Sequence, residues 1–411
     1  MQKKRIVILG AGFAGIYTYK YLHKYFHQNK NIELVLVNKT SYFLFTPLLH
    51  EVATGGISSD DIVHPIRESI GCCLSEFHET EVESVSCEKK IVKTKGGDIS
   101  YDYLVISLGS QTNSFGIPGV LEHSYFLKTL EDAFALKNQI IDTIEKAGAV
   151  EDKEEKKRLL TYAIIGGGPT GIELATEISE FIFGTLSRYY KPEVIKNVRI
   201  FVIQATGQIL PGFPNFVRVE AEKALKREKI ELLLNTPVEK ITKKGIFFGE
   251  NCIETETAIW TAGVSPVSLG FDQDIEKEKG KIVVEPTLQV KNQKDIFVLG
   301  DMAYFPTEDG CLPALAQVAV VQAKQAAKNI VALINGVAPQ PFSFHSKGIL
   351  LSLGKLHAAG TIGKLKLKGP FMWWVWRTIY WMKLITWKQR IKVGVDWAIS
   401  LFMRRDINRG K

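Results

Sequence analysis

Two glycine fingerprints set between apolar strands and helical patterns, with a basic tryptophan-rich tail, predict an α/β fold: two Rossmann-like units followed by an amphipathic helical region. The first fingerprint is Gly10-Ala11-Gly12-Phe13-Ala14-Gly15, and the second, Gly166-Gly167-Gly168-Pro169-Thr170-Gly171, lies 156 residues further on. Ile6-Val7-Ile8-Leu9 precedes one and Tyr162-Ala163-Ile164-Ile165 the other, each an apolar run of strand length. In such a turn the first glycine permits the tight bend and the second lets the backbone approach a pyrophosphate. The third lets helix and strand pack closely, and the helix N-terminus faces the phosphate charge. Two such turns imply two dinucleotides and electron transfer between them.

At 411 residues the chain exceeds what one core supports, so two or three domains are expected. Its 45% hydrophobic and 23% charged residues are those of an ordinary globular protein. Cys72, Cys73, Cys87, Cys252 and Cys311 form no CxxC and no metal-ligand spacing, which points to a reducing compartment and no metal site. The first fingerprint starts at Gly10, so no leader segment is expected ahead of the fold. Of the net charge of +8, Lys355 to Lys411 carries +11 (thirteen Lys or Arg, two Asp), leaving −3 elsewhere. Six of the seven tryptophans lie in the same stretch. The body therefore reads as a soluble enzyme and the tail as an addition to it.

Residues 1–40 read β-α-β, with strands at 5–9 and 32–37 around a helix from about 13 to 28. Tyr101 to Ser110 reads as a buried strand, 129–147 as a helix, and Glu151 to Arg158 as a solvated charged linker. The second β-α-β covers 161–204, with an insertion from Gly184 to Asn197. Thr257 to Gly263 and Asp295 to Gly300-Asp301 are strand-to-glycine elements, and an alanine-rich helix follows at about 313–334. The expected division is 1–112 and 275–335 as a split first domain, 113–274 as the second, and 336–411 as a membrane-association region.

Several stretches together resemble the type II NADH:quinone oxidoreductases: Phe45-Thr46-Pro47-Leu48-Leu49 with Val52-Ala53-Thr54-Gly55, and Leu108-Gly109-Ser110 through Asn113 to Gly116-Ile117-Pro118-Gly119. Gly167 to Ala175, Trp260-Thr261-Ala262-Gly263-Val264, Gly300-Asp301 and Ala316-Gln317-Val318-Ala319-Val320-Val321-Gln322 extend the likeness, which runs from Arg5 to Arg405. The resemblance implies a two-dinucleotide flavoprotein fold and a membrane-peripheral enzyme. Two electrons would pass from NADH through non-covalent FAD to a membrane quinone, menaquinone or ubiquinone, without proton pumping.

By the same resemblance FAD is held by Gly10, Gly12, Phe13, Ala14, Gly15, Asn38, Lys39, Thr46, Pro47, Val82, Gly109, Gly300, Asp301, Gln317 and Val318. NADH is held by Gly166, Gly168, Pro169, Thr170, Gly171, Gln204, Ala262 and Gly263, and the quinone by Ala316, Gln317, Ala319 and Gln322. Glu173 is the implied catalytic residue, near the flavin, supporting hydride transfer or quinone protonation; a helix-dipole role is the plain alternative. Asn38 and Gln204 stand where acids normally receive the ribose hydroxyls. The missing charge at Gln204 weakens the bar against NADPH, yet no arginine follows to bind its 2′-phosphate, so NADH is the main donor and NADPH stays open. Val321 replaces a glutamine usual in the quinone helix.

The tail has no run of 18 uncharged apolar residues, so it should lie on a bilayer and not cross it. Lys392, Asp396, Ser400 and Arg404 repeat at i+4 as an expected polar stripe, with Ile391, Val395, Trp397, Ala398, Leu401 and Phe402 filling the remainder. An anionic lipid surface is the expected partner, on the cytoplasmic side of the cell membrane. A domain or homodimer interface is the alternative use of the tail, and no nucleic-acid partner is expected. Disulfide-reductase and sulfide-oxidising chemistries need flavin-side cysteines, which 41–56 lacks. A specialised reductase using NADPH or a phylloquinone-type acceptor, and a membrane-docked redox sensor, remain as rivals.

Overall fold

The computed structural model describes residues 3–70, 75–308, 310–402 and 405–410; Cys72, Cys73 and Arg404 lie outside them. The chain forms two compact units. The first comprises Met1–Leu44, Val63–Gln111 and Val264–His345, and the second Phe45–Ile62, Thr112–Gly263 and Ser346–Lys411.

The first unit is built on a six-stranded sheet in the order Gln289–Val290, Gln293–Val298, Tyr103–Ile106, Lys4–Leu9, Ile32–Asn38, Ser75–Glu79. All neighbours run parallel except the Gln289–Val290 edge pair. Ile6 to Leu9 are fully buried, as expected of a central parallel strand covered on both faces. The helices Phe13–Phe26 and Ala316–Ile334 pack on each other. The second helix begins after Leu315, an N-cap in extended geometry.

The second unit carries a four-stranded parallel sheet in the order Ile230–Leu233, Arg199–Ile203, Thr161–Ile165, Thr257–Trp260. Its glycine-loop helix, Pro169–Ser179, runs on into a π-helical turn, Glu180–Thr185. The charged stretch expected as a solvated linker is instead a helix, Lys153–Leu159. Asp152 caps it by accepting from the Glu155 N–H at 2.8 Å, and acids in its first turn and bases in its last complement the helix dipole.

The tail belongs to this second unit. It opens with an antiparallel sheet, Gly348–Ser352, Ala358–Ile362 and Leu365–Lys368, which the sequence reading passes over. Two helices follow, Gly369–Lys383 and Trp387–Phe402. In the second, Lys392 of the polar stripe is exposed and Asp396 is half-buried. Gln389, Val393 and Trp397 are buried, while Ile391, Val395 and Ile399 are exposed. Asp396 turns towards the body and accepts from the Ser58 N–H at 3.3 Å. Among the described residues no helix is long and apolar enough to cross a membrane.

Candidate active site

Both glycine loops divide their labour as the fingerprint requires. In the first unit Gly10 has φ +88°, and a Cβ there would sit 2.4 Å from the Ser107 carbonyl oxygen. A Cβ on Gly15 would lie 1.7 Å from the Gly10 oxygen. These two glycines are steric necessities of the turn and of the helix–strand contact. Gly12, between them, has nothing within 4 Å of its would-be Cβ. The second unit repeats this: Gly166 and Gly171 are hemmed in at 2.7 Å and 1.9 Å, while Gly168 faces open space. Gly12 and Gly168 are also the N-caps of their helices, and neither helix has a side-chain cap. Each loop thus offers uncapped N–H groups beside a clear approach, a donor set that fits a diphosphate.

Gly12→Val should leave the fold intact, because its side chain meets no protein atom, and should cut the bound flavin at least tenfold. Thermal melting together with flavin content after purification checks this; Gly15→Val, by contrast, should fail to fold.

The acid replacements serve the loops themselves. Asn38 accepts from the Ala11 N–H at 2.9 Å and donates to Thr40 Oγ1 at 3.0 Å. Gln204 accepts from the Gly167 N–H at 2.7 Å and donates to Thr206 Oγ1 at 2.8 Å. In each case the amide bridges the residue after the first glycine to a threonine two positions on. Lys39 is exposed beside Asn38, and Val82 is half-buried at the start of the Val82–Ser86 strand. Phe13 packs edge-on against Phe43 at 5.2 Å, behind the buried Ala14.

Elsewhere in the first unit, Gly300 has φ +66° and its would-be Cβ lies 3.6 Å from Ala14 and 3.7 Å from Ala319. Asp301 Oδ2 accepts from Ser110 Oγ at 2.5 Å, one residue beyond Gly109. Gln322, expected at the quinone, is only 1% exposed and its Oε1 accepts from the Gly300 N–H at 2.7 Å. It braces the Gly300-Asp301 turn, because a glutamine in this buried position must satisfy its amide locally. Ala316 and Gln317 are half-buried at the helix start, and Val318 and Ala319 are buried.

Thr46 and Pro47 belong to the second unit, in a single helical turn, Thr46–Leu48. There too, Pro169 and Thr170 open the glycine-loop helix, Ala262 is exposed, and a Cβ on Gly263 would strike the Phe115 ring at 2.6 Å. Glu173 sits in the same helix and its Oε1 accepts from the Ser352 N–H at 3.0 Å. Burial raises the Glu173 carboxyl above its ordinary value, and Glu177 and Glu51 add to the rise. His50 and the Ser352 N–H act against it.

Below Glu173 lies an ionic cluster that the sequence reading misses. Arg405 Nη1 pairs with Glu177 at 2.6 Å and its Nη2 with Glu180 at 2.9 Å, and Nη1 also donates to Thr54 Oγ1 at 2.8 Å. Glu51 accepts from Trp397 Nε1 at 3.0 Å and faces Arg377 at 3.9 Å. The Arg377 guanidinium lies over the rings of Trp373 and Trp397, at 4.0 and 4.6 Å. The clue was present: Glu173, Glu177 and Glu180 fall at i, i+4 and i+7, one stripe of acids on an otherwise apolar helix. Among the described residues no cluster of His, Cys, Asp and Glu could hold a metal.

Residues 4–323 match the pyridine nucleotide-disulphide oxidoreductase family, and 346–406 match the NDH2 C-terminal domain. The type II NADH:quinone oxidoreductase NdhA of Mycobacterium tuberculosis is 30% identical, covering 98% of this chain and 88% of the relative. That of Staphylococcus haemolyticus is 31% identical, over 88% of this chain and 90% of its own. The NDH2 of Plasmodium falciparum, solved in complex with NADH, has the same fold, with a TM-score of 0.91 at 21% identity, covering 99% of this chain and all of that one. With two glycine loops, each opening a helix, and a C-terminal domain of this type, the chain belongs to the type II NADH:quinone oxidoreductases.

Proposed function

We propose that the first unit holds FAD by the Gly10–Gly15 loop and the Gly300-Asp301 turn, and the second holds NADH by the Gly166–Gly171 loop. FAD, when bound, accepts the hydride of NADH and returns two electrons to the quinone. The observation that carries the assignment is the open approach at Gly12 and Gly168 beside uncapped helix ends. Asp301, held by Ser110, supplies an acceptor for FAD hydroxyls. Glu173 holds or gives a proton at its carboxyl; Gln317, half-buried at the start of its helix, is the amide left for a quinone carbonyl once Gln322 is committed to Gly300.

The lipid partner follows from the exposed apolar face of the tail helices: Phe371, Trp374, Met382, Trp387, Ile391 and Val395. Trp and Phe beside Lys and Arg suit the headgroup layer of an anionic membrane, and the cytoplasmic face is the side we propose. Self-association through the same region is the competing use of this face.

Stopped-flow mixing tests the whole reading. NADH should bleach the flavin, and a naphthoquinone or ubiquinone in anionic vesicles should restore it at a comparable rate. The enzyme should sediment with those vesicles at low salt and leave them at high salt. A flavin that NADH reduces and no quinone reoxidises would overturn the assignment.

Gln204→Glu should keep the bond to the Gly167 N–H, because a carboxylate oxygen accepts as the amide does, while its charge repels a 2′-phosphate. The NADH:NADPH ratio of kcat/KM should rise about tenfold, a difference of about 1.4 kcal/mol.

A further inference from the structure

Lys137 breaks the pattern of its helix. The buried face of Leu130–Ala149 carries Ala133, Leu136, Ile140, Ile141 and Ile144, and Lys137 lies among them, only 6% exposed. A lysine is almost never fully buried unless it is paired. Among the described residues its ammonium has one acceptor, Asp406 Oδ2 at 3.4 Å, well beyond the length of a charge-assisted bond. An ammonium carries three donors, so most of its capacity is unspent.

Lys137 lines a cavity of about 490 Å³ in the second unit, a size that suits a small ligand. The cavity lies between the loop at 55–59, the helix of Lys137, the Trp387–Phe402 helix and the chain end from Arg405 on. Its other cations are already answered from outside it: Arg405 by Glu177 and Glu180, and Arg409 by Asp142 and Glu145. Its acids are engaged too. Asp396 accepts from the Ser58 N–H, and Asp406 Oδ1 accepts from the Asn408 N–H at 2.9 Å. Lys137 is thus the cation with donors to spare, and Ser58 and Ser59, on the same lining, bring hydroxyls that can donate. Ile399 decides the kind of ligand. It lines the cavity yet is exposed, and with Ile391 and Val395 it makes an exposed apolar stripe at i, i+4 and i+8. A molecule with an anionic head and an apolar tail meets both features.

We infer that this cavity binds the phosphate of one anionic phospholipid, with Lys137, Ser58 and Ser59 donating to its oxygens and the acyl chains lying along Ile391, Val395 and Ile399. This rests on the proposed docking of the tail on an anionic membrane and deepens it: one lipid is held at a fixed place, by more than the general attraction of a basic surface. A phosphodiester brings a negative charge and several acceptor oxygens, which take up the donors that Asp406 leaves unused. Salt screens a buried contact of this kind far less than it screens the exposed lysines and arginines of the tail. One wall of the cavity is the last tail helix and another is the Leu130–Ala149 helix, so the bound lipid joins the two.

Isothermal titration of the purified holoenzyme with dihexanoylphosphatidylglycerol, kept below its micelle concentration, tests the site. The wild type should saturate as a single site. Lys137→Met and Lys137→Gln should bind about tenfold more weakly, the loss expected for a charged hydrogen bond. Dihexanoylphosphatidylcholine, whose choline cancels the charge, should bind the wild type more weakly than the glycerol lipid; this comparison carries the test should neither variant fold. Equal binding of the two lipids, or of phosphatidylglycerol to the wild type and both folded variants, overturns the site. Inorganic phosphate that displaces the lipid at equal concentration makes the occupant a free anion and overturns the lipid. Sedimentation with mixed vesicles of phosphatidylglycerol and phosphatidylcholine keeps the two levels apart. A wild type that stays in solution at low salt overturns the membrane docking itself. One that sediments but takes up no short-chain lipid overturns the site alone.

Discussion

Arg405→Met should destabilise the protein by about 3–5 kcal/mol, the cost of removing one partner from a buried ionic cluster. Burial alone would lower the Arg405 guanidinium, but Glu177 and Glu180 more than reverse this and hold the charge in place. Its removal leaves two carboxylates withdrawn from water without their cation, and takes a donor from the buried Thr54 hydroxyl. Thermal or urea unfolding of the holoenzyme measures the loss. Adding Glu177→Gln and Glu180→Gln to Arg405→Met should recover much of it, since the triple variant buries no unpaired charge. If the single variant unfolds at the wild-type midpoint, Arg405 does not hold the cluster.

Glu173→Gln should lower the quinone-reducing half of the reaction about a hundredfold, within the range for loss of a positioned acid–base group. Flavin reduction by NADH should change far less. The two halves are separated by single-turnover mixing. The sign of the pH effect follows from the raised carboxyl. The wild type should favour quinone reduction while Glu173 is protonated and lose rate as pH rises through its raised value. Stability follows the same sense. The contribution of this group is complete below the ordinary carboxyl range and is lost as pH rises through the folded-state value. Glutamine stays neutral throughout, so the variant should show neither slope.

The β-α-β cores were legible because their residues obey local rules. Apolar runs before Gly10 and Gly166 can only be buried strands, and the glycine spacing fixes the turn. Lys153–Leu159 escaped because dense charge hid a helix whose evidence is its Asp152 cap and its charge order. The resemblance puts Gln322 at the quinone, and no helical pattern tells that its Oε1 already accepts from the Gly300 N–H. Arg405 is legible only in part: the stripe of acids on the helix is in the sequence, but the cation that answers it lies far along the chain.

The tail is fastened at both ends. At its start, Ser352 is bonded to Glu173. At its finish, Arg405 grips Glu177 and Glu180, Asp406 meets Lys137 at 3.4 Å, and Arg409 pairs with Glu145 at 3.0 Å. The two tail helices, Gly369–Lys383 and Trp387–Phe402, are thus a closed strap and not a free flap. A single nick at Ile385 or Thr386, between them, would leave each half still moored to the body. A pull from either end reaches the helix that carries Glu173, through Ser352 at one and Arg405 at the other, and Asp406 and Arg409 share the load with Lys137 and Glu145 on the Leu130–Ala149 helix.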